Sequence, residues 1–439
     1  MNILNLPDWE VLDVEENQGD YLITARYIPG PASCPVCKRM LPRLQLFGTK
    51  QRCFMDLPIH AKRVGILVRY QRYRCKECGH TFVQELPDMH EERKMTRRLL
   101  AYIEQETLRR TFVSVADDVG MGESSVRSVF HDYAARLEKS FKSNVTPRWL
   151  GIDEIKIIKR PRCVIANVEK NTIVDLLEDR TKKKVTRYLM GLSDRHLVEL
   201  VAMDMWGPYR DAVRAALPGA VIVIDKFHVV RMANASLDAV RKSIRDGLTR
   251  SQCNRLMHDR FILLRRKAEL EPDKRLILDV WLDRFPALGA AYKLKEDFFD
   301  IWDTPQSSQA AIERYEEWKA GIPGDVAWAF EDLTTAVQNW ETEIFAYFDH
   351  RVTNAYTESL NNITRLIYRV GRGYSFEAIR AKMLFNGGLH IECKPTYARG
   401  RGKVKKQVIS DYQPIDQGPE LNYGVRISTV LQRLEGKLE

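Results

Sequence analysis

The chain has 439 residues, 44 % hydrophobic and 29 % charged, with a formal net charge of +10. This is the composition of a soluble globular protein long enough for two to four domains. No apolar run approaches the ~20 residues of a membrane span, so no membrane partner is expected, and the charge points to a polyanionic partner.

Residues 1–30 run against that charge, with six Asp or Glu and one Arg. Alternating apolar and polar residues over 11–30 and 61–74 predict strands flanking two cysteine pairs, Cys34-Pro35-Val36-Cys37 and Cys75-Lys76-Glu77-Cys78. Two thiolates at CxxC spacing turn back on one metal ion, and two such pairs complete a tetrahedral site. Cys34, Cys37, Cys75 and Cys78 are therefore expected to bind zinc. Disulfides are not expected: the N-terminus carries no signal peptide, and Cys53, Cys163, Cys253 and Cys393 are scattered like small interior residues. Between residues 38 and 76 there are eleven Lys or Arg and one acid, Asp56. A metal-stapled module this basic is expected to bind DNA phosphates through Lys62, Arg63, Arg69, Arg72 and Arg74. The bland reading is a brace whose charges are merely solvated.

Residues 94–109 show helical periodicity, and 114–139 fit a helix-turn-helix. Ala116 stands where two helices cross, Gly120 at the turn, and Val126 and Val129 anchor a second helix capped by Ser124 or Ser125. Ser124, Ser125, Arg127 and Ser128 then lie at the front of a recognition helix.

From Trp149 the pattern becomes α/β. Residues 149–158, 162–168 and 172–178 read as an antiparallel meander, 181–191 as a helix, 197–203 as a fourth strand, 208–217 as a helix and 220–224 as a fifth strand. That succession is the order of a ribonuclease H-like fold, a mixed sheet in the order 3-2-1-4-5. The first and fourth strands are then central neighbours, so Asp153 on the first and Asp204 at the end of the fourth are placed to share a cation. Asp225 ends the fifth strand, one step further away, and with His228 is expected beside the site. Residues 229–345 read as an all-helical insertion holding five of the eight tryptophans, expected as core. A final helix over 352–369 carries Glu358 on one stripe with Asn354, Asn362, Arg365 and Arg369. Another helix is expected at 376–386. Three carboxylates suit Mg²⁺ (or Mn²⁺), and such a site serves in-line phosphoryl displacement. The segment after Pro395 is basic and then polar, with an amphipathic stretch at 425–438.

Taken together, these motifs resemble a DDE transposase of a bacterial insertion sequence, of the ISL-three family. The resemblance rests on CPVC, CKECGHTF, GIDEIKI around Asp153, AMDMWGPY around Asp204, IDKFHVVR around Asp225 and NAYTESLNNITRLIYRVGRGYSFEAIR around Glu358. It implies a zinc and helix-turn-helix front end that binds terminal inverted repeats, and a catalytic ribonuclease H-like domain interrupted before the glutamate. It also implies Asp153, Asp204 and Glu358 as the magnesium ligands and catalytic set. Asp225, His228, Asn362 and Arg365 support them, although the DxxH pair can also be matched so as to favour Asp225. The expected domains are 1–92 (zinc-binding), 93–147 (helix-turn-helix), 148–228 and 346–394 (catalytic), 229–345 (helical insertion) and 395–439 (basic tail). Synapsis of two DNA ends calls for a homodimer, and the task places the protein in the bacterial cytoplasm, at the nucleoid. Two rivals remain: a zinc and helix-turn-helix regulator whose sheet is only a scaffold, and a structure-selective nuclease that needs no specific repeats.

Overall fold

The computed structural model describes residues 3–40, 42–140, 146–304 and 307–386. Cys393, the basic tail 395–439 and its amphipathic stretch lie outside the described residues.

The first sheet comprises β1 (Trp9–Glu16), β2 (Asp20–Tyr27), β3 (Leu44–Ile59), β4 (Lys62–Cys75), β5 (Thr81–Val83), β6 (Met89–His90) and β7 (Met95–Thr96). Its order is β1-β2-β4-β3-β7-β6, and β5 extends the edge of β4 beyond β2. The alternation at 11–30 and 61–74 does mark strands. The longest strand, however, is β3, where no alternation announces one. Pairing of β2 with β4 stops at Arg69, so the far half of the β3–β4 ribbon leaves the core, and residues 45–51 are all exposed. Asp56, the single acid of the basic run, is buried; it accepts from Thr96 Oγ1 at 2.7 Å and from Arg98 Nε at 2.8 Å, pinning β3 to the next helix.

Three helices follow: α1 (Arg97–Arg109), α2 (Phe112–Val119) and α3 (Glu123–Ser140). Thr96 and Thr111 cap the first two. The turn between α2 and α3 needs a left-handed residue, and Gly120 supplies it at φ +65°. A Cβ there would also lie 1.9 Å from Arg63 Cδ, so the ribbon presses on the turn. Val126 and Val129 are buried as expected, but α3 starts at Glu123, so Ser124 and Ser125 sit inside its first turn instead of capping it.

The second sheet comprises β8 (Trp149–Ile157), β9 (Arg160–Asn167), β10 (Thr172–Leu177), β11 (Leu200–Met203) and β12 (Val221–Ile224), in the order β10-β9-β8-β11-β12. β8, β9 and β10 pair antiparallel, and β11 lies parallel to both β8 and β12. Between the strands come α4 (Lys182–Met190) and α5 (Gly207–Ala216). Residues 226–350 then form α6 (Lys226–Ser243), α7 (Arg250–His258), α8 (Arg260–Leu264), α9 (Pro272–Arg284), α10 (Pro286–Asp303), α11 (Ser308–Ala320), α12 (Ala327–Asn339) and α13 (Glu341–His350), with no strand among the described residues. Four of the five tryptophans there are core, as expected; Trp328 is 53 % exposed. The chain returns to the sheet in α14 (Ala355–Val370) and α15 (Phe376–Phe385).

Strand alternation in the second sheet divides the apolar residues on its two faces between two cores, and the first sheet has a third of its own, with Trp9, Ile23, Phe54 and Ile66. Leu150, Ile152, Cys163 and Ile165 face one core with α4, α5 and the long helical segment. Ile155, Ile157, Val164 and Ala166 face another, built jointly with α14, α15 and the helix-turn-helix residues Leu99, Ile103, Phe112, Val126 and Phe130. Lys382 on α15 ties that joint core together. It is buried, donates to the carbonyls of Thr107 and Arg110, and lies over the rings of Phe112, Phe130 and Tyr374. Of the scattered cysteines, Cys163 is interior, Cys253 partly covered and Cys53 exposed on β3. Cys53 departs from its expected burial because the buried positions of this stretch of β3 are Phe54 and Asp56, and Cys53 falls on the opposite face of the strand.

Candidate active site and DNA-binding surfaces

Asp153 lies on β8 and Asp204 immediately follows β11. These strands are parallel with Ile152 opposite Met203, so the two carboxylates emerge side by side. Asp153 is 7 % exposed. Burial pushes its pKa up to about 8, helped by the charge and hydrogen bond of Asp204 and the charge of Glu358, while His228 opposes the rise. Asp204 meets His228 Nε2 at 2.5 Å, and His228 Nδ1 accepts from Arg231 Nη2 at 2.7 Å. Burial alone would lower the His228 pKa, but the hydrogen bond and charge of Asp204 outweigh it and the direction is upward.

Asp225 ends β12 with both oxygens occupied. Oδ1 caps α6 by accepting from Phe227 N at 2.9 Å, and Oδ2 accepts from Asn354 N at 2.6 Å. It is 2 % exposed, and it fastens the start of α14 to the sheet. The expected stripe on α14 is divided accordingly: Asn354 is buried, whereas Glu358, Asn362, Arg365 and Arg369 are exposed. Asn362 accepts from Arg365 at 3.0 Å, away from Asp153. The face of α14 that meets β8 is instead Asn354, Thr357, Asn361 and Thr364, all buried. This crossing is close because position 151 is glycine; a Cβ would lie 2.6 Å from Thr357 Oγ1 and 2.8 Å from both Asn354 Oδ1 and Val168 Cγ2. Asn361, absent from the expected set, donates to Asp153 Oδ2 at 2.6 Å. On the opposite face of β8, Glu154 pairs with Arg180, whose guanidinium stacks 4.4 Å from the Trp206 ring.

The four cysteines of the two CxxC pairs form the one cluster of metal-ligand atoms found within 4.8 Å of one another among the described residues. Both pairs use the same knuckle: Lys38 N donates to Cys34 O at 3.0 Å, and Gly79 N to Cys75 O at 2.8 Å. The sulfurs of Cys34 and Cys78 are 3.6 Å apart, and those of Cys37 and Cys75 3.9 Å. Tetrahedral zinc with Zn–S near 2.3 Å requires edges of about 3.8 Å, so the geometry fits.

The five basic residues expected on the ribbon fall into two groups. Lys62 donates to Glu16 at 2.6 Å, and Arg63 donates to Asp20 at 2.5 and 2.8 Å, so the acidic first hairpin neutralises both. Arg69, Arg72 and Arg74 lie on the emergent ribbon, opposite Gln51, Gly48 and Gln45, and Arg72 stacks on Phe47 at 5.3 Å. On α3, Ser124, Ser125 and Ser128 are exposed. Arg127 is half-buried, paired with Glu123 at 2.5 Å and lying 5.3 Å from the Phe112 ring.

Known families match all three parts of the chain, and they define an insertion-sequence transposase. Residues 150–383, more than half the chain, match a family described as transposase. Residues 30–78, with all four cysteines, match the zinc-finger of transposase IS204/IS1001/IS1096/IS1165, and residues 84–134 the helix-turn-helix domain of transposase family ISL3. The chain belongs to the ISL3 family of DDE transposases. It is 24 % identical over 361 residues to the transposase for insertion sequence element IS1001 of Bordetella parapertussis, across 79 % of this chain and 87 % of that one. It is also 24 % identical over 271 residues to the transposase for insertion sequence element IS1557 of Mycobacterium tuberculosis, across 55 % and 60 %. No described helix is long and apolar enough to cross a membrane.

Proposed function

We propose that this transposase binds the terminal inverted repeats of its element and cuts and joins DNA at a ribonuclease H-like active site, with Asp153, Asp204 and Glu358 as the cation ligands. The adjacency of Asp153 and Asp204 on parallel central strands carries this reading. The donor set fits a hard divalent ion: oxygen ligands only, packed so that Asp153 resists ionising without a positive neighbour. Glu358 is exposed and acts on Asp153 through its charge. Bound Mg²⁺ supplies the charge stabilisation that in-line displacement at phosphorus needs. His228 holds the Asp204 carboxylate in place. Asp225 acts structurally, at the junction of β12, α6 and α14.

The domain limits that accompany this reading are 1–92, 93–147, 148–228 with 346–394, an all-helical insertion at 229–345, and a tail at 395–439. Arg69, Arg72 and Arg74 contact backbone phosphates, and Ser124, Ser125, Arg127 and Ser128 present the reading surface of α3. Two ends are held by a homodimer, acting on DNA in the cytoplasm at the nucleoid.

The test is cleavage of a labelled duplex carrying the element's end, in Mg²⁺ and in EDTA. Asp153→Asn and Asp204→Asn are expected to abolish cutting while end binding and zinc content survive. Full cutting by either variant overturns the site.

A further inference from the structure

Asp153 is held at both oxygens. The backbone N–H of Glu154 donates to Oδ1 at 2.6 Å, a bond that comes from its own strand. The second donor, Asn361 Nδ2, reaches across from α14 to Oδ2 at 2.6 Å and to Glu154 O at 3.3 Å. Asn361 is 3 % exposed, so packing between α14 and β8 fixes its amide. Its neighbours do something else: Asn354 Nδ2 contacts Ile152 O at 3.4 Å, Thr364 Oγ1 donates to Leu360 O at 2.7 Å, and Asn362 faces solvent with Arg365.

An aspartate carboxylate turns readily about its last torsion, which has broad wells. One donor on Oδ1 leaves that rotation open, and a second on Oδ2 closes it. Each oxygen keeps a lone pair for a further partner. The geometry points to Asn361 as the positioning residue that fixes the plane of the Asp153 carboxylate for a divalent cation, an inference that rests on reading Asp153 as a cation ligand. Glu358 and Asn361 stand three residues apart on α14, so this helix delivers a ligand and the clamp for another ligand in one docking event. Hydrogen-bonding partners behind metal ligands typically contribute 10- to 100-fold in metal affinity.

The test uses the full-length zinc-loaded protein and reads Mn²⁺ binding by electron paramagnetic resonance, without DNA. Asn361→Leu keeps the volume and removes the donor; Asn361→Ala gives the same readout where the leucine does not fold. Mn²⁺ affinity is expected to fall 10- to 100-fold. Cleavage is expected to need correspondingly more Mn²⁺ and to recover at saturation, with end binding and zinc content unchanged. Thr364→Val, another buried polar loss on the same face, is expected to leave Mn²⁺ affinity at the wild-type value. Wild-type Mn²⁺ affinity in the Asn361 variants, alongside loss in Asp153→Asn, overturns the positioning role alone. Wild-type affinity in Asp153→Asn overturns the cation site, and this inference with it.

Discussion

Gly151→Ala is the most direct probe of how α14 meets the sheet. The new methyl would lie 2.6 Å from Thr357 Oγ1 and 2.8 Å from Asn354 Oδ1 and Val168 Cγ2, about 0.6 to 0.8 Å inside an ordinary contact. None of these atoms is the free end of a long side chain. Asn354 is fastened through its backbone to Asp225, so the strain passes to the helix itself. Overpacking of this kind costs about 1–3 kcal/mol. At roughly 2–4 °C per kcal/mol for a domain of this size, 2 kcal/mol lowers the melting temperature by about 4–8 °C. The helix also carries Glu358 and Asn361. A 1 Å misplacement at a reacting centre costs on the order of 100-fold, so a half-ångström retreat is expected to slow cutting about tenfold. Thermal melting and single-turnover cleavage of an end duplex measure the two effects, and Thr357→Ala in the same chain is expected to restore part of both. A Gly151→Ala protein that melts within 1 °C of wild type and cuts at full rate would refute the close crossing.

Asp225→Ala removes a helix cap and leaves the buried Asn354 N–H unpaired, so a stability loss of about 2–4 kcal/mol is expected in denaturant titration. Asp225→Asn keeps one acceptor oxygen but turns an amide donor against the other backbone N–H, so it too is expected to destabilise, by about 1–3 kcal/mol. Wild-type stability in both variants would count against the junction. Arg72→Ala is expected to weaken end binding and lower the salt slope of log affinity by about 1, whereas Lys62→Ala, already paired with Glu16, is expected to leave the slope nearly unchanged. Equal slopes for both variants would erase the division of the ribbon. Burial lowers the Lys382 pKa to about 7 from the ordinary 10.5. Above pH 7 the unfolded chain therefore holds a proton that the folded one releases, and this lysine's contribution makes stability rise from pH 7 towards 10.5. Lys382→Met is expected to flatten the rise in melting temperature between pH 7 and 9, and an identical slope in wild type and variant would show that the ammonium stays charged inside.

The central sheet was legible because its signals are local. Short turns make β8, β9 and β10 a meander, and apolar runs ending in Asp204 and Asp225 mark the parallel strands. β3 was not legible, since a ribbon that leaves the core has no buried face to impose alternation. On α14, two polar stripes compete at helical spacing. The charged one with Glu358, Asn362 and Arg365 attracts attention, but charge favours the solvent side, and the uncharged stripe of Asn354, Thr357 and Asn361 packs against β8. The glycine at 151 was the available clue, because a strand position without a side chain admits a helix whose facing residues are polar and small. The partner of the helix-turn-helix could not be read at all. Leu99, Ile103 and Phe130 announce an apolar face, and periodicity does not say what lies against it.

The joint core of the helix-turn-helix and the second sheet fixes the one against the other. Phe112, Phe130 and Val126 share their apolar surroundings with Val164, Ile379 and Leu384, and Lys382 bolts the two sides together from within. A helix seated in this way cannot drift on a tether relative to Asp153 and Asp204. On the proposed reading, with α3 facing the bases and the carboxylates at the cut, the number of base pairs between the two is expected to be set by the fold, so that an element's ends can change their letters more freely than their spacing.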